Sequence, residues 1–166
     1  INDSYSKYTD KYKNYRTFFG ILTKHNALPA KILMENSIPN FTFNEQNEKS
    51  LKVSQNESLR DLNFFIFHGD VHVGLLLTDF TSKNNTLKLK HICVLPFFQN
   101  CGFGSRMMVN LIKSSLKRDI KHITTMIDKN NDKLIRFFQK RFGFKVITDD
   151  NTNKNNNNNN NDNNNE

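Results

Sequence analysis

The sequence predicts one α/β or α+β domain, in which helices pack against a mixed β-sheet. Two observations support this prediction. A hairpin and a third strand lie in the middle of the chain, and helical and strand-like segments alternate after them. The chain has 166 residues, which is enough for one domain with a hydrophobic core. We expect that domain to occupy residues 1–148.

The first third of the chain is predicted to be largely helical. Aromatic and aliphatic residues recur every three or four positions over Tyr5–Lys24, which predicts an amphipathic helix with its apolar stripe on the core. Pro29 lies just inside a second, short helix at Ala30–Glu35. Residues 37–60 are polar and irregular, so we expect a long loop with a strand near Leu51–Val53.

The middle of the chain is predicted to form a hairpin followed by a third strand. Gly69-Asp70 separates the strand-like segments Leu62–His68 and Val71–Phe80, and such a two-residue turn is typical of a hairpin. After a polar turn, the apolar residues of Leu87–Val94 predict the next strand.

The last third alternates helix and strand. Helical spacing of apolar residues predicts a helix over Ser105–Leu116, and β-branched residues predict a strand over Ile120–Ile127. A further helix is predicted over Asn131–Phe142, with Gly143 as its C-terminal cap. A final short strand is predicted over Phe144–Ile147.

An asparagine-rich tail ends the sequence. Twelve of the sixteen residues from Asn151 to Glu166 are asparagine, and such a segment buries too little apolar surface to offset its ordering entropy. We therefore expect residues 149–166 to be disordered and to carry no chemistry. These residues contain four acids and one base, so the net charge of +8 for the whole chain becomes +11 for the body.

The charge of the body limits the classes of partner without selecting one. A basic surface attracts nucleic acids, acidic proteins, and phosphorylated metabolites or cofactors. The lysines are spread along the chain, and a solvated basic face explains them equally well. A nucleic-acid partner is not favoured, because the interleaved surface aromatics of a base-stacking platform are missing.

Cysteine content and apolar runs indicate the compartment. Cys93 and Cys101 have no metal-binding spacing and form no disulfide framework, so we expect no metal and a reducing, intracellular location, cytoplasmic or nuclear. The sequence shows no signal peptide and no apolar run near 18 residues, so no membrane partner is expected. Because the chain begins with Ile1, a fragment that lacks a first strand is compatible with the sequence.

The segment from Gln99 to Ser105 is the candidate binding site. A helix N-terminus presents unpaired backbone N–H groups, and Gly102 and Gly104 allow a phosphate to approach them closely. An ordinary strand-to-helix connection also explains these glycines, so the local pattern leaves both interpretations open. A nucleotide P-loop is excluded because no Lys-Ser/Thr pair follows, and a dinucleotide fingerprint because the third glycine is missing.

Two segments resemble a known family. Ile92–Gly104 has an apolar strand followed by Gln-x-x-Gly-x-Gly, and it resembles the acetyl-coenzyme A signature of the GCN5-related N-acetyltransferases (GNAT). Asp128–Phe144 resembles that family's asparagine-plus-helix segment, which closes with Gly-Phe. The two segments occur in the family's order, separated by one helix and one strand. The resemblance covers about half of the chain, from Leu62 to Ile147.

The resemblance implies an acetyl-CoA-dependent N-acetyltransferase with a mixed, mostly antiparallel sheet of six to seven strands flanked by helices. It implies that a neutral amine attacks the thioester directly and that the backbone N–H near Val94 polarises the thioester carbonyl. The pantetheine arm is expected beside the strand that ends at Val94, and the pyrophosphate on the glycine turn. The residues expected to hold the cofactor are Ile92, Cys93, Val94, Gln99, Asn100, Cys101, Gly102, Phe103, Gly104, Ser105, Asn130, Asn131 and Phe138.

The sequence departs from the family's pattern at the proton donor. Many members have a tyrosine in the last helix that protonates the leaving thiolate. Phe138 takes that position when it is counted from Asn131, and Gln139 takes it when it is counted from Gly143. Neither side chain is an acid, so water, another group, or a protein that binds without turnover remain as alternatives.

The general base is a second departure. The strand before Pro96 offers no Glu or Asp, and His91 is the candidate base, acting directly or through water. A partly exposed strand histidine without a catalytic role is the alternative, and it applies equally to His122. Asp128 lies at a strand end, where structural capping and catalysis both explain it.

The missing strong base favours an acceptor that loses its proton easily. An α-amine has a reference pKa of about 7.8, and a lysine amine one of about 10.4, so we expect a protein or peptide N-terminal amine. Lys24–Pro29 and the block spacing resemble, in part, the N-terminal-amine acetyltransferases of the Naa50 type. Their tyrosine and histidine are not found, since Leu87 and Ile127 stand at those positions. The alternatives are a glucosamine-phosphate or other small-molecule acceptor, and a catalytically silent CoA-binding or interaction module.

Overall fold

The computed structural model describes residues 16–42, 44, 51 and 57–147. The predicted tail at 149–166 lies outside these residues, and so does most of the predicted strand near Leu51–Val53. The chain has two compact units, Ile1–Met126 and Ile127–Glu166. The expectation of a single domain over residues 1–148 stays a prediction.

Five strands and three helices make up the described residues. In chain order they are β1 (Thr17–Ile21), α1 (Ala27–Ser37), β2 (Phe64–His68), β3 (Val71–Thr81), β4 (Thr86–Val94), α2 (Phe103–Leu116), β5 (His122–Thr125) and α3 (Asp132–Arg136). Short 3₁₀ turns at Lys24–Asn26, Glu57–Leu62, Ser82–Asn84 and Pro96–Phe98 connect them. No helix in this part of the chain is long and apolar enough to cross a membrane.

The first unit is built on one mixed sheet. The strands lie in the order β1-β2-β3-β4-β5; β1 to β4 pair antiparallel, and β5 is parallel to β4. The predicted mixed, mostly antiparallel sheet is therefore confirmed. The strand count is not, because the described residues form five strands and not six or seven.

Helices cover both faces of this sheet. Leu33 and Met34 of α1 are buried in a cluster with Leu75 of β3. A Cβ on the preceding residue, Gly74, would instead lie 3.0 Å from the methyl group of Met107 in α2. Since neighbouring strand residues point to opposite faces, α1 and α2 pack on opposite sides of the sheet.

The predicted helix over Tyr5–Lys24 is wrong where it can be compared with the structure, because Thr17–Ile21 is a strand. Phe18 stacks on Phe67 of β2 at 4.8 Å. Gly20 lies against the same ring, where a Cβ would come within 2.6 Å. Packing across β1 and β2 thus decides the conformation, and the apparent helical spacing is a by-product of aromatic residues on both faces of a strand. The N-terminal part of the predicted helix lies outside the described residues.

The middle elements agree with the sequence. The hairpin is confirmed, with Gly69 at a φ of 60° in its turn. The helix predicted to begin at Ser105 begins two residues earlier, at Phe103, and the strand predicted over Ile120–Ile127 is shorter, at His122–Thr125.

In the second unit, α3 continues as a π-helical turn over Phe137–Arg141. Gly143 ends it with a φ of 68°, as predicted, and its N–H donates to the carbonyl of Gln139 at 3.1 Å. This is the left-handed C-terminal cap for which glycine is best suited.

The final strand predicted at Phe144–Ile147 is wrong, because no described strand contains these residues. Phe144 turns back onto the helix end instead. Its N–H donates to the carbonyl of Phe138 at 3.2 Å, and the two rings lie 5.0 Å apart. The backbone hydrogen bond and the apolar contact that complete a helix cap have replaced strand pairing here.

Candidate functional site

β4 keeps its partner β5 over only half of its length. The parallel ladder pairs Thr86–Leu89 with His122–Thr125, and β4 then continues to Val94. The Thr125 hydroxyl donates to the carbonyl of Leu89 at 3.2 Å, at the end of the ladder. Among the described residues of this unit, no strand pairs with the β5 side of β4 beyond Leu89, and we call this unpaired stretch of β4 its open edge.

Main-chain groups of Ile92 and Val94 point to this open edge. The N–H of Leu95 donates to the carbonyl of Val73 at 2.9 Å, which turns Leu95 toward β3. Successive residues of an antiparallel strand direct their N–H and C=O groups to opposite sides. Ile92 and Val94 therefore present theirs away from β3, whereas the main chain of Cys93 is turned toward it.

The thiol of Cys93 belongs to the core. It is buried in the cluster that includes Leu33 and Leu75, and burial raises its pKa to about 12. The thiol is therefore protonated at neutral pH and is a poor nucleophile. Its side chain supports the strand, and its predicted contact with the cofactor stays a prediction.

The glycine turn leads from β4 into α2. Asn100 and Gly102 both have positive φ, 61° and 87°. The first helical hydrogen bond is donated by Arg106 to the carbonyl of Gly102 at 3.0 Å. The N–H groups of Phe103 and Gly104 lie before that bond, at the positive end of the helix dipole. Apart from Gly102 itself and its two chain neighbours, no atom of the described residues lies within 4 Å of the position that a Cβ on Gly102 would take, so there is space for an anion.

Gln99 ties this turn to the end of β4. Its side-chain Nε2 donates to the carbonyl of Val94 at 3.0 Å, and its backbone N–H donates to Pro96 at 3.3 Å. Its carbonyl accepts from the Cys101 thiol at 3.1 Å. Gln99 thus ties the end of β4 to the helix N-terminus, with its backbone N–H and one of its two side-chain N–H groups engaged. The predicted contact of Gln99 with the cofactor stays a prediction.

His91 lies two residues beyond the end of the β4–β5 ladder. It pairs with Leu77, so its side chain lies on the sheet face that α1 covers. Its ring contacts that of Phe41 edge-on, with the ring centroids 6.0 Å apart. Burial first, and then the ammonium group of Lys90, lower the pKa of His91 below its ordinary value. The imidazole is therefore neutral at pH 7 and able to accept a proton. His122, the other candidate, is exposed on β5.

The remaining predicted cofactor residues lie in the second unit. The Asn131 side chain accepts the N–H of Leu134 at 3.1 Å and caps α3. The Asp128 carboxylate accepts the N–H of Asn130 at 2.8 Å, which supports the capping role for Asp128. Phe138 is buried and lies edge-on to two neighbouring rings. Their contacts with a cofactor stay predictions.

Two features of the site were missed by the sequence reasoning. Phe41, which the sequence predicted only as part of a loop, packs on His91. Lys90 is an extra residue in β4 and has no partner on β3. No sequence signal marks such a register shift. In the described part of the chain, no group of three His, Cys, Asp or Glu side chains is placed to hold a metal ion.

A β-strand with one open edge, followed at once by a glycine turn and a helix N-terminus, is the candidate site for an extended ligand that carries phosphate. Residues 31–144 match the model of the acetyltransferase (GNAT) family. This match covers more than half of the chain, and the chain belongs to the GNAT family. It is an acetyl-CoA-dependent N-acetyltransferase. No curated protein sequence matches the chain significantly.

Solved structures share the fold. Naa50 from Arabidopsis thaliana, in complex with the bisubstrate analogue CoA-Ac-MVNAL, has a TM-score of 0.65 and 17% identity over 80% of this chain and 85% of its own. The ribosomal-protein-S18-alanine N-acetyltransferase from Escherichia coli has a TM-score of 0.68 and 20% identity over 80% of each chain. AAC(6')-Iy, in complex with CoA-S-monomethyl-acetylneamine, has a TM-score of 0.61 and 13% identity over 80% of this chain and 96% of its own.

Proposed function

We propose that the open edge of β4 and the glycine turn together hold acetyl-CoA, and that the acceptor is the N-terminal α-amine of a peptide. The observation that carries this proposal is the continuity of the two parts. Gln99 joins them through its hydrogen bond to Val94. One extended molecule with amides at one end and phosphates at the other matches that sequence of donors.

The residues present fit acetyl-CoA. Phosphate oxygens suit the N–H groups of Phe103 and Gly104, and a pantetheine amide suits the outward main-chain groups of Ile92. When bound, acetyl-CoA supplies the activated acetyl group that the acceptor amine takes. The N–H of Val94 faces the open edge, where it can donate to a carbonyl oxygen and stabilise negative charge that develops there.

His91 has the properties of a proton acceptor in this arrangement. Its imidazole is neutral at pH 7 and lies close to the start of the open edge. It takes the proton that the amine loses, directly or through water. The thiolate that leaves takes its proton from water, since Phe138 and Gln139 provide no acid.

The choice of a peptide α-amine rests on two supports. A single imidazole is a weak base, and an α-amine with a reference pKa of about 7.8 needs less help to lose its proton than a lysine amine does. Of the proteins that share the fold, Naa50 is in complex with a bisubstrate analogue that contains the peptide sequence MVNAL, and another is named for an alanine of ribosomal protein S18. A small-molecule amine is the second candidate, because AAC(6')-Iy shares the fold and binds an acetylneamine analogue.

An acetylation panel tests the proposal. The purified chain and acetyl-CoA are incubated with peptides that have a free α-amine, the same peptides with a blocked terminus and an internal lysine, an amino-sugar phosphate, and neamine. Mass spectrometry is expected to find acetylated product chiefly with the free α-amine. Product only from the sugars would overturn the peptide acceptor. Binding of acetyl-CoA without any product would favour a silent CoA-binding module.

A further inference from the structure

The register shift between β3 and β4 gives Lys90 a position of its own. Leu77 lies opposite His91, and the next residue, Thr78, lies opposite Leu89. β4 therefore has one residue more than β3 at this point, and that residue is Lys90. An extra residue of this kind is a β-bulge. β-bulges redirect a side chain or end a strand's pairing, and they are common beside active sites.

The ammonium group of Lys90 has no acidic partner among the residues that the structure describes. The side chain is exposed and forms no ion pair within the described part of the chain. Lys88, on the same strand, differs because it lies directly opposite Asp79. The register shift leaves Lys90 with no opposing residue on β3. Its positive charge is therefore available to a ligand.

Lys90 lies at the start of the open edge, beside the proposed proton acceptor. The β4–β5 ladder ends at Leu89, and the open edge begins with Lys90, next to His91. The ammonium of Lys90 is close enough to His91 to contribute to the lowering of its pKa, after burial. A group bound beside the imidazole is therefore also within the field of Lys90.

We propose that Lys90 selects acceptors that carry an anionic group, a carboxylate or a phosphate, next to the reactive amine; this rests on the proposed function. An anion at that place is attracted by the unpaired ammonium, and a cation is repelled. For a solvent-exposed pair the effect on selectivity is about two- to fivefold. In a peptide the anion is an aspartate or glutamate at the second position, and in an amino sugar it is the phosphate.

A charge-swap experiment tests this inference. kcat/KM is measured for peptides that differ only in Asp, Gln or Lys at the second position, and for glucosamine with and without its phosphate. The chain is expected to prefer the anionic member, and Lys90→Glu is expected to reverse that preference. Lys83→Glu, which changes an exposed lysine in the turn before β4, makes the same change in net charge and is expected to keep the preference.

The outcomes separate this inference from the proposed function. Acetylation with no dependence on acceptor charge, or equal effects of Lys90→Glu and Lys83→Glu, would overturn the role of Lys90 and leave the acetyltransfer proposal standing. Preference for the peptide series alone, or for the sugar series alone, identifies the source of the anion and supports the inference. Failure to acetylate any acceptor would overturn both. Circular dichroism of each variant checks that the fold is intact.

Discussion

At the residue scale, Gly102 has a backbone role and a proposed ligand role. Its φ of 87° lies in the left-handed region, and the space in front of it is open. A side chain there is strained whatever the space, because its Cβ approaches the neighbouring carbonyl oxygen. The same residue begins the helix whose N–H groups are proposed to bind phosphate. Its replacement therefore affects two measurable quantities that a matched control can separate.

We expect Gly102→Ala to lower the free energy of unfolding by about 1 kcal/mol and to raise the KM for acetyl-CoA. Gly143→Ala is the control, because Gly143 also has positive φ and open space but lies at the end of the last helix. It is expected to lose similar stability with an unchanged KM. Urea unfolding and steady-state kinetics measure the two quantities. Equal KM values in both variants would contradict the phosphate role of Gly102.

His91 is tested through its pKa. Because the folded-state pKa is below the ordinary value, the unfolded chain binds the proton more readily. His91 therefore contributes stability that is present at neutral pH and is lost as pH falls below about 6.5. Activity that depends on the neutral imidazole is expected to fall over the same acidic range.

We expect His91→Gln to lower kcat by about a hundredfold at pH 7.5 and to remove this histidine's part of the acidic decline. His72→Gln is the control, since burial also lowers the pKa of His72, whose ring contacts the rings of Phe65 and Phe67. Its kcat is expected to stay near that of the unmodified chain. A His91→Gln variant with full kcat would show that this imidazole is a structural strand residue.

At the element scale, the two residues just before β2 hold β3 at the register shift. The side chain of Asn63 is almost fully buried and accepts the N–H of Thr78 at 2.7 Å, while the Thr78 hydroxyl donates to Leu62 at 3.0 Å. Thr78 is the residue directly after the shift that produces the extra residue in β4. The side-chain oxygen of Asn63 thus accepts the hydrogen bond from Thr78 where β2 supplies no backbone acceptor.

We expect Asn63→Ala to lower the free energy of unfolding by about 1–3 kcal/mol, because the partly buried N–H of Thr78 loses its acceptor. Asn63→Asp keeps an acceptor oxygen in place and is expected to recover part of that loss. Asn36→Ala removes an exposed side chain from α1, and its effect is expected to stay within about 0.5 kcal/mol. Chemical denaturation of the three variants provides the comparison. Similar losses for Asn63→Ala and Asn36→Ala would count against the proposed anchoring.

The helix of the second unit explains why two residues compete for the position of the family's tyrosine. Counting from Asn131 and counting back from Gly143 give positions that differ by one residue, Phe138 and Gln139. The structure has a π-helical turn over Phe137–Arg141. Such a turn accommodates one residue more than an α-helical turn does, which accounts for the mismatch of one.

At the scale of the whole molecule, a cofactor that binds only the folded state must stabilise it. Acetyl-CoA at about one hundred times its dissociation constant is expected to add about 2.7 kcal/mol to the free energy of unfolding. We expect a chain that ends at residue 148 to show the same gain, because the tail is predicted to carry no chemistry. Thermal melts of both chains, with and without ligand, measure this. A gain confined to the longer chain would assign the tail a part in binding.

The sequence by itself determined the features that depend on short-range order. The Gly69-Asp70 hairpin, the apolar periodicity of α2, the glycine turn before it and the cap at Gly143 all follow from residues close together in the chain. The family was also evident from these local patterns, because a phosphate site at a helix N-terminus is made of consecutive residues.

Only the tertiary structure decided the features that depend on partners distant in sequence. Thr17–Ile21 is a strand because Phe67, some fifty residues later, packs on Phe18 and Gly20. The extra residue at Lys90 and the place where β5 leaves β4 follow from how three strands pair. Local propensity differs by a fraction of a kcal/mol per residue, so burial and pairing across the sheet override it, and neither can be read from neighbours along the chain.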